Sequence, residues 1–322
     1  MDALTRIGQE LGGPDWVQGP GGNVSVKEGD MLHVKASGKR LRDMGKPGSI
    51  ATVPLADARA ALEGDKEAEA RTFARTPRPS LETYFHAIGA KVVIHTHAVG
   101  AMLVACSGAK RPAGVVEVPY ERPGRGLGVR VAEALGGARE GTVLLASHGL
   151  VVYGETTEGA IARTREIDAA FRAEFANLEA FAPRVTAPYD VLRAEGLVLT
   201  TLPARRGHIG RFLFPDAAVF ASVSRVPSLE TAEARLSHAR AALTAFGRPV
   251  VLVADDGARV HVARNEDELA QAREVLLAHD YVEDALLARG DGRYLPDDEP
   301  AKIVGMPSEQ YRLSLTRSDS PC

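Results

Sequence analysis

The stretch that decides the fold is Val92-Val93-Ile94-His95-Thr96-His97. Its β-branched and apolar residues predict a strand. Because side chains alternate between the two faces of a strand, His95 and His97 point to the same side. Burying two imidazoles on an apolar strand requires a partner for each of them. Taken alone, the pattern fits a pair of metal ligands as well as it fits two structural histidines.

A second apolar strand is predicted at 142–147, and it places His148 at its end. Three protein ligands and one open position are typical of a catalytic zinc site. Structural zinc sites are usually four-coordinate and rich in cysteine. Cys106 is the only cysteine nearby, and we expect it to pack as a small apolar residue on a helix. The third histidine therefore favours a catalytic metal site.

Length and composition describe an ordinary globular protein. The 322 residues suffice for one large domain or two ordinary ones, and the net charge of −3 gives no reason to expect a nucleic-acid partner. No apolar stretch is long enough to span a membrane, and the N-terminus does not resemble a signal peptide. With two cysteines, Cys106 and Cys322, a reducing compartment is the default. We therefore expect a cytoplasmic protein that binds neither nucleic acid nor membrane.

The order of predicted elements indicates an α/β fold of the α+β type. Short helices and hairpins occur in mixed order, without the strict alternation of a doubly wound sheet. Prolines and an Arg-Arg-Gly sequence between 183 and 207 predict a domain boundary. We assign a catalytic domain to residues 1–185 and a small C-terminal α+β extension to residues 186–322. Within the extension, 212–223 is predicted to be a strand and 266–288 a helix.

Glu82 lies just before the first histidine strand, in the first turn of a helix predicted at 81–90. A carboxylate there stabilises the positive end of the helix dipole, but beside a metal it can also act as a general acid or base. His86 follows one turn later. We expect His86 to pack or to support other side chains rather than to bind the metal.

Two glycine-rich loops have different interpretations. The loop at 19–23 and the pair Ser37-Gly38 offer backbone N–H groups that can hold a phosphate or carboxylate, although most such loops are only turns. The stretch at 123–128 superficially resembles a nucleotide loop. It does not follow a clear strand in a βαβ unit, so we reject a dinucleotide site.

Five separated motifs together resemble the class II aldolase/adducin family, which includes fuculose-phosphate and rhamnulose-phosphate aldolases and ribulose-phosphate 4-epimerase. The resemblance covers about residues 1–185. It implies a central, mainly antiparallel sheet sandwiched by helices, and a homotetramer with active sites at subunit interfaces. The motifs, in chain order, are Gly21-Gly22-Asn23-Val24-Ser25, Ala36-Ser37-Gly38, Pro79-Ser80-Leu81-Glu82, His95-Thr96-His97-Ala98 and Ala146-Ser147-His148-Gly149.

The resemblance also implies roles for single residues and a metal, which is Zn²⁺ or another divalent ion such as Mn²⁺ or Co²⁺. One departure from the family pattern is Ser80-Leu81, where the phosphate-using aldolases commonly have two adjacent serines. Losing one hydroxyl opens the choice between a phosphate, a carboxylate and no anion on the substrate. The implied roles are metal ligands for His95, His97 and His148, catalytic groups for Glu82 and Tyr120, and substrate binding for Asn23, Ser25, Ser37, Gly38 and Ser80.

These features predict a metal-dependent aldolase that reversibly cleaves a ketose or ketose-phosphate through a zinc-stabilised enediolate. The alternatives are an epimerase, a dehydratase or a decarboxylase on the same scaffold. A different class of function is a non-enzymatic, adducin-like binding protein, but such members lack the full metal-binding set. For the extension we expect a role in oligomerisation or as a lid over the active site.

Overall fold

The computed structural model describes residues 3–175, 191–194, 196–205 and 210–318. The chain divides into two compact units: Met1–Phe181 with Asp284–Arg293, and Ala182–Glu283 with Tyr294–Cys322. The boundary that we predicted between residues 185 and 186 lies outside the described residues. Asp284–Arg293, which we assigned to the extension, groups with the first unit.

The first unit is built on a sheet in the order β3-β2-β1-β4-β7-β6-β5. All neighbouring strands are antiparallel except β5 and β6, which are parallel. The mainly antiparallel sheet that we predicted is therefore confirmed. The strands are β1 (Asn23–Glu28), β2 (Met31–Lys35), β3 (Ile50–Pro54), β4 (Val92–Thr96), β5 (Val115–Val118), β6 (Gly141–Leu145) and β7 (Gly149–Gly154).

Helices cover both faces of this sheet. On one face, Val93, Val143 and Val151 pack with Phe85 and Leu127, which come from α4 and α6. The other face packs against α5 and α7. The helices are α1 (Ala3–Leu11), α2 (Leu55–Glu63), α3 (Lys66–Phe73), α4 (Thr83–His86), α5 (Val99–Ala105), α6 (Arg125–Leu135) and α7 (Thr157–Ala173), with a 3-10 turn at Leu41–Asp43.

The helix predicted at 81–90 is shorter than expected, since α4 is a single turn. Gly89 has a φ of 68°, a left-handed value that an α-helix cannot contain. The carbonyls of Ile88 and Ala90 accept hydrogen bonds from Lys27 Nζ at 2.8 and 2.6 Å instead of continuing the helix. This turn leads directly into β4.

The second unit contains a separate sheet in the order β10-β11-β12-β9-β8, with only β10 and β11 parallel among these strands. Its α+β character and the helix predicted at 266–288 are both as expected. The elements are β8 (Val191–Ala194), β9 (Leu197–Leu202), α8 (Pro215–Phe220), β10 (Ser222–Val226), α9 (Ala232–Phe246), β11 (Val250–Ala254), β12 (Arg259–Ala263), α10 (Glu266–Arg289), α11 (Glu299–Val304) and α12 (Pro307–Ser318). The last residues of α10, from Asp284 on, belong to the first unit.

The strand predicted at 212–223 is wrong, because the middle of that stretch is α8 and a strand begins only at Ser222. Pro215 takes the first helical position, where its missing N–H costs nothing. Asp216 adds a negative charge to the first turn. A short apolar run fits either a buried strand or a buried helix by periodicity, and here the helix-start residues decide. Among the described residues, no helix is long and apolar enough to cross a membrane.

Candidate metal centre

The three predicted histidines meet at one buried site in the first unit. His95 lies in β4, between Asn23 of β1 and Val151 of β7. His97 is two residues further along, directly after the end of β4, and, as predicted, points to the same side. His148 lies in the turn between β6 and β7. All three side chains are at most 5% exposed.

The turn that carries His148 depends on an unusual backbone. Ser147 has a φ of 51°, a left-handed value that is costly for a residue other than glycine. The Ser147 N–H donates to the carbonyl of Ala105 at 2.9 Å, and the His148 N–H donates to the carbonyl of Leu145 at 3.1 Å. These bonds hold the turn tightly enough to aim His148 across the end of β4.

The imidazoles converge through their Nε2 atoms, with Glu82 beside them. Nε2 of His95 and Nε2 of His97 are 3.1 Å apart. The two carboxylate oxygens of Glu82 face different histidines: Oε2 lies 3.4 Å from His95 Nε2, and Oε1 lies 3.3 Å from His148 Nε2. The sequence therefore predicted correctly that these four side chains come together.

The protonation of His95 follows from its second nitrogen. Nδ1 of His95 lies 3.1 Å from the carbonyl oxygen of Leu150, which can only accept, so Nδ1 carries the proton. Burial lowers the pKa of His95 to about 3, which keeps the ring neutral at neutral pH. Its Nε2 lone pair is then free to bind a metal. The sequence alone did not reveal that Leu150 orients His95, since Leu150 contributes a backbone carbonyl and not its side chain.

Asn23 orients the carboxylate of Glu82. Its Nδ2 group donates to Glu82 Oε2 at 2.7 Å and to Ser80 Oγ at 3.2 Å. Burial alone would raise the pKa of Glu82, but His95, His148 and the Asn23 hydrogen bond outweigh it and lower that pKa to about 2. Glu82 is thus held as a fixed carboxylate.

His86 completes this network behind the site. Its Nε2 forms a short hydrogen bond with Asn23 Oδ1, and its Nδ1 lies 2.7 Å from Ser25 Oγ. An amide oxygen can only accept, so Nε2 carries the proton and Nδ1 accepts from the Ser25 hydroxyl. Burial lowers the pKa of His86 well below its usual value, in agreement with a neutral ring. Because both ring nitrogens are occupied, His86 supports Asn23 and Ser25 and does not act as a metal ligand.

The remaining loop residues lie next to one another. The Ser37 N–H donates to the carbonyl of Arg78 at 2.8 Å, and the Ser80 N–H donates to the carbonyl of Lys35 at 3.1 Å. These bonds bring the Ser37-Gly38 turn beside the segment that carries Ser80 and Glu82. Their contact with a substrate stays a prediction.

Lys35 is a residue of this region that sequence reasoning missed. It is 2% exposed, and its Nζ donates to the carbonyls of Pro20 at 3.0 Å and Lys39 at 2.6 Å. The buried ammonium therefore joins the glycine-rich loop to the Ser37-Gly38 turn. The available signal was a lysine at the end of a mostly apolar strand, which is a weak one.

Tyr120 is half-buried and follows β5, at the edge of the sheet. β7 and β6 lie between β5 and β4, which carries His95. With neighbouring strands about 4.8 Å apart, this places β5 roughly 14 Å from β4. The catalytic role of Tyr120 stays a prediction.

The donor set fits a divalent metal. The Nε2 atoms of His95 and His97 are 3.1 Å apart, and they repel each other unless a proton or a cation lies between them. One ligand atom from each of His95, His97 and His148 lies within 4.8 Å of the others. Three imidazoles with an adjacent carboxylate suit zinc, and they also suit other first-row divalent ions.

Comparison with known proteins decides the family. A model of the class II aldolase and adducin N-terminal domain matches residues 2–175, which is more than half of the chain. The chain belongs to the class II aldolase/adducin family. A curated relative, "Uncharacterized oxidoreductase YuxG" of Bacillus subtilis, is 30% identical over 174 residues. That match covers 46% of this class II aldolase/adducin chain and only 25% of the relative.

Solved structures with similarity to this family member include two of 28% and 20% identity. The first is the N-terminal class II aldolase domain of a conserved protein from Thermoplasma acidophilum, with a TM-score of 0.46, covering 53% of this chain and 92% of the other. The second is the L-fuculose-1-phosphate aldolase of Thermus thermophilus, with a TM-score of 0.40, covering 53% of this chain and 90% of the other.

Proposed function

We propose that this protein is a metal-dependent lyase that reversibly cleaves a ketose or ketose-phosphate at the bond between the carbons α and β to its carbonyl group. The observation that carries the proposal is the convergence of three buried imidazoles on the carboxylate of Glu82. Membership in the class II aldolase/adducin family supports it. The complete histidine set argues against a non-enzymatic, adducin-like role.

Each residue of the site has a proposed role. His95, His97 and His148 would hold the metal, for which zinc is our first choice. When bound, the metal supplies Lewis-acid charge for the oxygens of a ketone and its neighbouring hydroxyl. Glu82, fixed by Asn23, would move the proton on the carbon beside the carbonyl.

The substrate is recognised, in this proposal, at the turn beside Glu82. Ser37 and Ser80 offer their hydroxyl groups and Gly38 its backbone N–H, since the N–H groups of Ser37 and Ser80 already donate within the protein. Lys35 adds a buried positive charge that holds the loops. Leu81 in place of a second serine removes one hydroxyl donor. An anionic group on the substrate, either a phosphate or a carboxylate, fits these donors.

The cellular setting follows from the same proposal. Sugar and sugar-phosphate metabolism is cytoplasmic, and the buried free thiol of Cys106 agrees with a reducing compartment. A homotetramer with the second unit acting in assembly or as a lid remains our expectation for the quaternary structure.

The test is metal content by inductively coupled plasma mass spectrometry on untagged protein. We expect about one divalent ion per chain in the wild type and its loss in His97→Ala. His33→Ala is the matched control, because His33 is a partly exposed histidine of the same unit that bonds to Thr52. That variant should keep the metal.

The metal-loaded protein is then incubated with ketoses and ketose-phosphates, and the masses of the products are measured by mass spectrometry. Two smaller fragments indicate cleavage, an unchanged mass with a new retention time indicates epimerisation, and loss of water or CO₂ indicates dehydration or decarboxylation. A wild type that takes up no metal after reconstitution would favour the adducin-like function instead.

A further inference from the structure

The backbone that follows His97 is held by residues outside its own helix. Helix α5 begins two residues after His97 and receives no side-chain cap from the residue before it. The N–H of Val99, its first residue, donates instead to the carbonyl of Asp15 at 2.9 Å. The N–H of Ala101 donates to Oδ1 of Asp168, which lies on α7, at 3.1 Å. Two other segments of the first unit therefore fix the first turn of α5.

The carboxylate of Asp168 is buried and fully oriented. Asp168 is 3% exposed, and its second oxygen, Oδ2, accepts from Arg172 Nε at 2.7 Å. A buried carboxylate is costly unless it is both hydrogen-bonded and paired with a positive charge. Asp168 meets the first condition with Oδ1 and the second with Oδ2, so its carboxylate cannot turn without losing one of the two contacts.

Gly100 allows α5 to approach Asp168 this closely. A Cβ atom at this position would lie 2.4 Å from Oδ1 of Asp168 and 2.6 Å from its carbonyl oxygen, closer than packed atoms can come. All seven residues of α5 are buried, so the helix has little room to move aside. The contact therefore sets the distance between α5 and α7.

His97 depends on this segment more than His95 does. His95 lies inside β4 and pairs with strands on both sides, whereas His97 lies beyond the last residue of β4. The carbonyl of His97 accepts a hydrogen bond from Nε2 of the buried Gln18 at 3.3 Å. After β4 the chain is thus held by Gln18, Asp15 and Asp168.

We propose that Asp168 is a positioning residue of the metal centre: by holding the first turn of α5, it fixes the orientation of the His97 imidazole. Residues that support a metal ligand without touching the metal typically change the metal affinity by about 10–100-fold when they are removed. The inference rests on the proposed binding of a metal by the three histidines, but it does not depend on which reaction follows.

The test is titration of the metal-free full chain with Co²⁺, whose visible spectrum reports the geometry of its ligands. We expect Asp168→Ala to bind Co²⁺ about tenfold or more weakly and to show altered visible bands. Asp168→Asn keeps an oxygen that can accept from the Ala101 N–H, and it should recover most of the affinity.

Ile161→Ala is the matched control, because it removes a buried side chain from the same helix about two turns before Asp168. This variant should lower the midpoint of thermal unfolding but keep the Co²⁺ affinity and spectrum of the wild type. The comparison separates an effect on the orientation of His97 from a general loss of stability.

Three results would overturn the proposal: wild-type affinity and spectrum in Asp168→Ala, equal weakening in Ile161→Ala, or Asp168→Asn binding as weakly as Asp168→Ala. If Asp168→Ala does not fold, Gly100→Ala decides, since its Cβ separates α5 from Asp168. That variant should weaken Co²⁺ binding similarly, and wild-type affinity in it would contradict the proposal.

Failure of this proposal can be told apart from failure of the proposed function. A wild type that binds no Co²⁺ would remove the metal centre and the role of Asp168 together. Wild-type binding that is weakened in Asp168→Ala, without cleavage of any ketose, would support the role of Asp168 and remove only the lyase function.

Discussion

Both the nitrogen and the oxygen of the Asn23 side-chain amide form hydrogen bonds within the metal centre. Its nitrogen donates hydrogen bonds to Ser80 and Glu82, and its oxygen accepts one from His86. Because an amide is planar, these three partners are fixed relative to one another. Glu82 therefore reaches the histidines with one carboxylate oxygen already bound and the other directed at His148.

Changing Glu82 to glutamine tests this arrangement directly. Glu82→Gln keeps the size of the side chain but removes its charge and its ability to take up a proton. We expect metal content close to one ion per chain, because the three histidines remain, and a loss of cleavage rate of about 100-fold or more. Metal analysis and product formation on the same preparation provide the measurement.

Glu155→Gln is the control for that variant, since Glu155 is an exposed glutamate paired with Arg139 on the surface. It should leave both metal content and cleavage unchanged. A Glu82→Gln protein that holds its metal and still cleaves at the wild-type rate would show that Glu82 does not carry the proton.

At the residue scale, the sequence reveals the metal ligands better than the residues that hydrogen-bond to the residues around them. The pairing of His95 with His97 follows from strand alternation, which is a local property. The support from His86 depends on the register of two strands that places Asn23 opposite His95. The sequence predicted a supporting role for His86, but register is set by contacts distant in sequence, so its partners Asn23 and Ser25 were not predicted.

Among the elements, β4 and β7 approach unusually closely at Gly149. A Cβ atom at this position would lie 2.4 Å from the carbonyl oxygen of Thr96 and 3.2 Å from atoms of both His95 and His97. The neighbours are a backbone atom and two packed rings, which cannot turn aside as a flexible chain would. Glycine therefore sets the distance between the two strands that bring the histidines together.

Gly149→Ala should disturb the metal centre without removing any ligand. We expect β4 to shift away from β7, metal content to fall, and the free energy of unfolding to fall by about 1–3 kcal/mol, as for other overpacked positions. Metal analysis and denaturant unfolding are the measurements. Gly13→Ala is the control, because a Cβ there meets nothing within 4 Å. Full metal content in Gly149→Ala would contradict this account of the spacing.

At the element scale, the strands and helices with strong periodicity or clear end signals are as predicted, as α10 and β4 illustrate. The strand predicted at 212–223 was wrong, because the apolar run there contains a short helix. Secondary structure there is decided by the residues that start the helix and by tertiary packing, and only the first of these is visible in the sequence.

For the whole molecule, the first unit is discontinuous in sequence. Asp284–Arg293 returns to it after more than one hundred residues. The Arg293 N–H donates to the carbonyl of Cys106 at 2.7 Å, and the guanidinium of Arg289 lies 4.6 Å over the ring of Phe175. No local pattern at 284–293 could have indicated which unit it joins, since it continues the helical sequence of α10.

A chain that ends at residue 181 should therefore fold less stably than the first unit does in the full protein. We expect a lower unfolding midpoint and reduced cleavage, measured by thermal unfolding and by the product assay. Arg289→Ala in the full chain, which removes the contact with Phe175 and a hydrogen bond to Glu174, should cost about 1 kcal/mol. A truncated chain with unchanged midpoint, assembly and turnover would remove any role for the residues beyond 181.

The return of Asp284–Arg293 to the first unit also has a consequence for biosynthesis. A ribosome that adds roughly 5–20 residues per second needs about 5–20 s to proceed from residue 181 to residue 284. During that interval the nascent first unit has its histidines but lacks its last segment. During translation, a chaperone or a metal ion would therefore bind a first unit whose surface near Cys106 and Phe175 still lacks its contacts with Arg293 and Arg289.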